Sequence, residues 1–346
     1  MISAAPPANW TPDRLADWIE YQLMFSSATT FSRSTLRDFI EEDPGTSDLL
    51  SYDSANFSDN DDDYDEYTSR RAGRDASAEG VSEADELSSD AFVVLEDRAA
   101  FVGEKYPFKV ESDLITSAVP SWRHSIVYAF LLALNARYVY GLSPETNMAA
   151  RIFERLVRVA MAAYINGEAE HFGWPRDGAP GKRNFAAALP VLLRKLGERA
   201  AIKYEDIPPK IKDNEVDVFA WRPPGDDRRG QLILMCQCAI GSGWNDKGIR
   251  LDKWDPFITF AVTPVGAAAF PFVPRAMEAD PNFDYLYLSR SVGLWFDRLR
   301  LTVLIDESEL DEPLAAAMIS YVEGLIFPAN GPGSSDMAGS VISEPA

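Results

Sequence analysis

Apolar residues near the start of the chain repeat at a spacing of three and four. Leu15, Trp18, Ile19, Gln22 and Leu23 follow that period, which predicts a helix with Trp18, Ile19 and Leu23 on its buried stripe. Thr11-Pro12-Asp13 opens it, with threonine as cap and proline at the first helical position. The pattern then fails. From about 43 to 85 the chain reads SDNDDDYDEY and Ser, Ala and Gly, a solvated loop with too little apolar surface to offset the entropy of ordering. Periodicity returns in DAFVVLEDRAAFV, a predicted helix over Asp90–Val102, and YPFKV predicts a short strand. Trp122–Tyr140 is apolar all round, the mark of a buried helix. Another helix opens at Ser143-Pro144-Glu145 and runs to about Ile165, where Gly167 stops it. Its core stripe is Met148, Ile152, Phe153, Leu156, Val159, Ala160 and Ala163, and Asn184–Leu196 predicts one more amphipathic helix.

After Leu196 the period changes from helical to alternating. EVDVFAW (215–221) and QLILMCQCAI (231–240) are rich in β-forming residues, and PPGDDRRG between them is a turn, so the pair predicts a β-hairpin. GAAAFPFV and FDYLYLS predict further strands, followed by a helix from about Val292 to Leu301, an edge strand at 302–305 and a last helix over Glu312–Ile326. The fold class is α/β or α+β: a small mixed sheet with a central β-hairpin flanked by helices, plus an N-terminal helical region. The expected divisions are a helical segment at 1–42, an acidic insertion at 43–88, a helical region at 89–142 that packs on the core, an α/β core at 143–327 and a disordered tail at 328–346.

Composition narrows the chemistry. The 346 residues can bury a sizeable core, and the net charge of −21, taken as a sum, argues against a polyanionic partner. Its distribution says otherwise, because residues 41–90 hold 17 Asp and Glu against three Arg, whereas 181–256 hold 14 basic and 11 acidic side chains. The acidity is regional and does not veto an anionic substrate elsewhere. Two cysteines, Cys236 and Cys238, make no disulfide framework, and two histidines, His124 and His171, argue against a zinc site built from protein ligands. Both histidines read as structural residues. The N-terminus shows no signal peptide and Ile126–Leu134 is far short of the roughly 20 residues of a membrane span, so the expectation is a cytoplasmic protein without a membrane. Phosphate-binding glycine motifs and GxSxG are absent.

What remains is a carboxylate on the hairpin. Asp217 sits between Val216 and Val218, where an ionised side chain must face a polar cleft or find a partner. Gln237 interrupts the second strand in the same way, and in register the two meet. Carboxylate and amide oxygens suit Mg²⁺ or Mn²⁺. Cys236 and Cys238 alternate with Gln237 and so face away from it.

At these residues the chain resembles the PD-(D/E)xK, or restriction-endonuclease-like, nucleases, whose hairpin carries Asp on one strand and (D/E)xK on the next. Asp217 matches the first acid; Gln237 stands in place of the second and Ala239 in place of the lysine. The resemblance, over roughly 144–300, implies metal-dependent phosphodiester hydrolysis of nucleic acid, DNA in the first instance, in a prokaryotic restriction or phage-defence setting. It implies Mg²⁺ or Mn²⁺ held by Asp217, Gln237 and Glu154 of the preceding helix, with Lys247 as a relocated catalytic lysine beside Asp217 and Gln237. Arg176, Arg228 and Arg229 are the expected nucleic-acid contacts. Double-strand cleavage implies a homodimer or a partner protein from a defence operon. The Gln237 and Ala239 departures favour an alternative, a catalytically inactive nuclease-fold protein that binds nucleic acid or a partner. A third reading is a helical scaffold whose acidic loop binds a basic partner.

Overall fold

A computed structural model describes residues 11–42, 82–139, 146–176, 184–226, 228–241, 248–274 and 281–326. Lys247, most of the acidic insertion and the C-terminal tail lie outside the described residues. The fold is mixed α+β and divides into two compact units, one of 4–100 with 108–118, the other mainly 101–107 with 119–346.

The first unit opens with α1 (Pro12–Phe25), capped by the Thr11 hydroxyl, which accepts the Arg14 N–H at 3.3 Å. Leu15, Trp18, Ile19 and Leu23 are buried as their spacing predicts. A short strand β1 (Thr30–Ser32) leads directly into α2 (Arg33–Glu42), which buries Leu36 and Ile40 four residues apart. Helix α3 (Glu83–Val102) begins seven residues earlier than Asp90, inside the stretch assigned to the insertion. The Ser82 hydroxyl accepts the Asp85 N–H, and Glu83, Asp85 and Glu86 place negative charge at the helix N-terminus, where the macrodipole favours it. Arg98 of α3 is buried against Asp17 and the wholly buried Glu20 of α1, at 2.9 and 3.0 Å. Strands β2 (Phe108–Glu111) and β3 (Leu114–Ser117) join β1 in an antiparallel sheet with β3 at its centre.

The second unit holds α4 (Ile126–Val139), preceded by a 3-10 turn at Trp122–Ser125. Ile126–Leu134 is buried throughout, and the Glu307 carboxylate accepts the N–H groups of Ile126 and Val127 at the helix start. Helix α5 (Thr146–Ile165) packs against the sheet and against the last helix, Glu312–Ile326. Its buried face differs from the stripe in the sequence: Met148 and Ala163 are exposed, while Val157 and Met161 are buried. A helix that touches both a sheet and a neighbouring helix buries a wider arc than one stripe.

Five strands form the central sheet in the order β10 (Leu294–Phe296), β9 (Val265–Ala269), β7 (Leu232–Cys238), β6 (Val218–Arg222), β4 (Glu168–His171). A separate two-residue pairing joins β5 (Arg199–Ala200) to β8 (Ile258–Thr259). The hairpin pairing is antiparallel, Val218 opposite Cys236 through Arg222 opposite Leu232. β7 pairs in parallel with β9, and β9 with β10. Four strands therefore run one way and β6 alone opposes them. One face is covered by α6 (Phe185–Leu196) and by Trp254, which is fully buried against Phe172, Phe185, Phe219 and Phe257. FDYLYLS is not a strand but part of helix α7 (Pro281–Val292). Proline suits the first helical position, and Leu288 and Val292 are buried four residues apart, a period that outweighs the alternating aromatics. The edge strand expected at 302–305 is instead the end of α8 (Arg298–Leu304), capped by Asp297. The helix expected from Val292 is broken at Gly293, whose φ is +81° and where an added Cβ would lie 2.2 Å from the Gly266 carbonyl oxygen. The chain's last described element, α9, is the expected helix over Glu312–Ile326.

Candidate functional site

Because four strands run together against β6, the C-terminal ends of β4 and β7 meet the N-terminal end of β6 at one edge of the sheet. His171 is the last residue of β4, Cys238 the last of β7, and Asp217 immediately precedes β6. The ladder fixes Asp217 from both sides. Its N–H donates to the Cys236 carbonyl at 2.9 Å, and its own carbonyl accepts the N–H groups of Phe172 and Gly173 at 2.6 and 3.0 Å. One carboxylate oxygen, Oδ2, accepts the Cys238 N–H at 2.8 Å. The turn leading in is strained: Asn214 and Glu215 both have positive φ, 53° and 67°, at a cost of about 1 kcal/mol or more each. Asn214 is anchored on the Lys253 carbonyl and Glu215 by an ion pair with Lys253.

Glu154 of α5 reaches the same place from the opposite element. Its residue is 9% exposed, and its Oε2 lies 2.6 Å from His171 Nε2. Gly173 marks the convergence: a Cβ there would stand 2.7 Å from Glu154 Oε2, 3.0 Å from Asp217 Oδ1 and 3.0 Å from His171 Nε2. Two carboxylates and an imidazole from three elements thus close on one point that only glycine leaves open. Two ionised carboxylates facing one point repel, and the His171 ring beside Glu154 is the group placed to offset that repulsion.

The Cys238 thiol belongs to this cluster. Burial pushes it well above its ordinary value, aided by the neighbouring Cys236 thiol and by the negative charges of Asp217 and Glu154, so it is a neutral thiol at neutral pH. Both cysteines are free.

The structure brings Glu154 and Asp217 together and does not bring Gln237 to them. Cys238 shares the electrostatic environment of Glu154, so α5 faces the side of β7 that carries Cys236 and Cys238. Gln237 alternates to the other side, with Met235 of the Trp254 core, and pairs in register with Ala268. The hairpin ladder ends at Val218, one residue short of the Asp217–Gln237 pair that the sequence implies, and Asp217 turns its carboxylate to the Cys238 backbone instead.

The expected nucleic-acid contacts are placed elsewhere. Arg176 is buried, its guanidinium 3.9 Å from the Phe172 ring centroid and hydrogen-bonded to the Lys212 carbonyl at 2.6 Å, and burial pulls it down to about 10 despite Asp213. It is a packing residue, not a surface one. Arg228 and Arg229 lie in the β6–β7 loop, at the far end of the hairpin from Asp217. Arg229 pairs with the buried Glu198 and donates to the carbonyls of Gly197 and Thr259, while Arg228 points into solvent beside Asp226. His124 is exposed at the 3-10 turn, its Nδ1 3.0 Å from the Ser121 hydroxyl.

From the sequence His171 reads as a structural histidine and Gly173 carries no assignment, yet the structure places both beside Glu154 and Asp217. The signal was available in EHFGWPRDG: a histidine at the end of a strand, two residues before a glycine, at the sheet edge where Asp217 enters.

Among the described residues, no group of three or more His, Cys, Asp and Glu side chains is arranged to hold a metal ion by itself. No helix among them is long and apolar enough to cross a membrane. Comparison with protein-family models, with curated proteins and with solved structures found no match.

Proposed function

We propose that this edge of the sheet is the site of a metal-dependent phosphodiesterase acting on nucleic acid, DNA in the first instance. The observation that carries the reading is the convergence of Glu154 and Asp217, from a helix and from the hairpin, on the point left open by Gly173. Mg²⁺ fits this donor set better than zinc does, because it is held by one or two carboxylates, retained waters and substrate phosphate oxygens rather than by a complete protein cage. Glu154 and Asp217 are the residues to hold it, with Mn²⁺ as the natural substitute. When bound, such an ion supplies charge stabilisation at the phosphoryl group and a more acidic water.

The remaining roles belong to the chain. His171 holds the Glu154 carboxylate in place through Oε2, as ligand carboxylates are commonly held by a hydrogen-bonded neighbour. The Cys238 N–H holds Oδ2 of Asp217, leaving Oδ1 as the atom turned toward Gly173. Lys247 keeps its proposed role as the relocated lysine, because the position two after Gln237 is Ala239, which has no charge to offer.

A second reading is favoured by a specific observation. Gln237 lies on the opposite face from Glu154 and Ala239 replaces the lysine, which is the pattern of a nuclease-like domain retained for binding. Incubating plasmid DNA with wild type and Asp217→Ala in Mg²⁺, Mn²⁺ or EDTA separates the two. Hydrolysis predicts nicking or linearisation by wild type in either metal, none in EDTA and none by the variant. Metal-independent binding without cleavage by the wild type would establish the binding reading instead.

A further inference from the structure

Trp174 is the one exposed tryptophan among the described residues, at 39%, whereas Trp18, Trp221, Trp254 and Trp295 are buried. Among those residues no aromatic ring or cation stacks on it. Its backbone is nevertheless tightly held. Phe172, Gly173 and Trp174 direct three successive N–H groups at one turn, the first two to the Asp217 carbonyl at 2.6 and 3.0 Å and the third to Asp213 Oδ2 at 3.2 Å. Asp213 is fixed in its turn, because its Oδ1 accepts the Glu215 N–H at 3.1 Å. A large flat ring therefore stands on a rigid backbone, which lowers the entropy lost when something binds to it. Consecutive Cα atoms are about 3.8 Å apart. The ring is thus rooted beside Gly173, where Glu154 and Asp217 converge.

The turn that holds Trp174 also carries positive charge. Lys210 and Lys212 precede Asp213, both are exposed, and neither forms an ion pair among the described residues. The acids that follow them are engaged, Asp213 by two backbone N–H groups and Glu215 by Lys253. Charges are screened over about 8 Å at physiological ionic strength, so these lysines, not the total of −21, are what an approaching anion meets. An aromatic face with lysines beside it suits single-stranded nucleic acid, whose bases stack on the ring while its phosphates meet the ammonium groups. In a duplex the faces of an interior base are already covered by its neighbours, and unstacking it is costly.

We infer that Trp174 is a stacking platform for an unpaired base next to the scissile phosphate, with Lys210 and Lys212 on adjoining phosphates, and that this site takes single-stranded nucleic acid. The inference rests on the nucleic-acid reading above and narrows its substrate class. It gives Trp174 and the two lysines the contacts that Arg176, Arg228 and Arg229 do not supply.

The test is fluorescence anisotropy of labelled oligonucleotides with the full chain in EDTA, where no cleavage is expected. Three probes of equal length are compared: a thymidine strand, the same backbone built from abasic units, and a blunt duplex. The variants are W174A, W174F and K210A/K212A, with circular dichroism to confirm folding. W174A is expected to bind the thymidine strand at least about tenfold more weakly, and W174F to keep most of the affinity because its ring still stacks. Wild type is expected to bind the abasic strand as weakly as W174A binds either single strand. K210A/K212A is expected to lose affinity for both single strands alike, with a salt slope shallower by about 0.7 for each phosphate no longer neutralised. Unchanged affinity of W174A for the thymidine strand would overturn the inference. Equal losses by W174A on strand and duplex, or no binding of the strand by wild type, would overturn it too. If W174A splits a wild-type dimer and keeps its strand affinity, the ring serves a second copy of this chain and the inference falls. If wild type binds the strand through Trp174 and never cleaves it with Mg²⁺ or Mn²⁺, this site stands and hydrolysis falls. If wild type cleaves the strand and W174A binds and cleaves equally well, hydrolysis stands and this site falls.

Discussion

The two ends of the β6–β7 hairpin handle charge in opposite ways. At the loop end every buried charge has a complement. The Glu198 side chain is fully buried and receives the Arg229 guanidinium and the Ala261 N–H, and the Gln231 amide donates to the Leu196 carbonyl. At the other end two carboxylates come together, one of them paired with a histidine. Glu154 and Asp217 approach one point, with His171 and a neutral Cys238 thiol beside them and a strained turn leading in. Pairing of opposites is what a fold needs for stability. Gathering of like charges costs stability and persists where something is bound or transformed. The contrast is what singles out this end of the sheet as the candidate site.

Removing one partner at the paired end should produce the largest loss of stability. Glu198→Ala leaves the Ala261 N–H unsatisfied and Arg229 without its carboxylate, and is expected to lower the unfolding free energy by about 3 kcal/mol. Urea denaturation measures it; a change under about 1 kcal/mol would mean that the loop end is not a structural clamp. At the like-charged end, Gly173→Ala should do the reverse. The three atoms nearest the new methyl are side-chain ends rather than backbone, so stability is expected within about 1 kcal/mol of wild type. Those ends belong to Glu154, Asp217 and His171, and a displacement of about 1 Å should slow DNA cleavage about 100-fold. Normal turnover by this variant would remove the convergence from the mechanism.

Two arginines sharpen the comparison at smaller scale. Arg176→Ala is expected to cost about 1–2 kcal/mol through the loss of its packing on Phe172 and of its hydrogen bond to Lys212, with oligonucleotide affinity unchanged. Arg228→Ala, at an exposed position, is expected to change stability by less than about 0.5 kcal/mol and affinity not at all. Weakened nucleic-acid binding in either would return these residues to the interface that their sequence suggests.

How far the sequence reveals this arrangement depends on the element. The cap at Thr11, the buried helix over Ile126–Leu134 and the hairpin with its turn are legible because local period and turn chemistry agree with the tertiary outcome. FDYLYLS is misread because aromatic alternation mimics a strand, and only the burial of Leu288 and Val292 reveals the helical period. Asp217 is legible as an anomalous charge among apolar neighbours, whereas Glu154 is suggested only by the resemblance to nucleases that carry a glutamate on the preceding helix. Gln237 fails for a reason no single strand contains: the ladder stops one residue early, and a shift of one residue exchanges the faces. His171 and Gly173 escape because their role exists only where three strand ends and a helix meet.

The most direct measurement is the unfolding free energy of Asp217→Asn in EDTA, paired with its cleavage rate in Mg²⁺. The amide oxygen can still accept the Cys238 N–H, so the substitution removes the charge and keeps that hydrogen bond. If the site is a gathering of like charges kept for function, the variant should be as stable as wild type or up to about 1 kcal/mol more stable, and should cleave at least about 1,000-fold more slowly. A loss of stability comparable to that of Glu198→Ala, with cleavage undiminished, would contradict it and make Asp217 a structural residue.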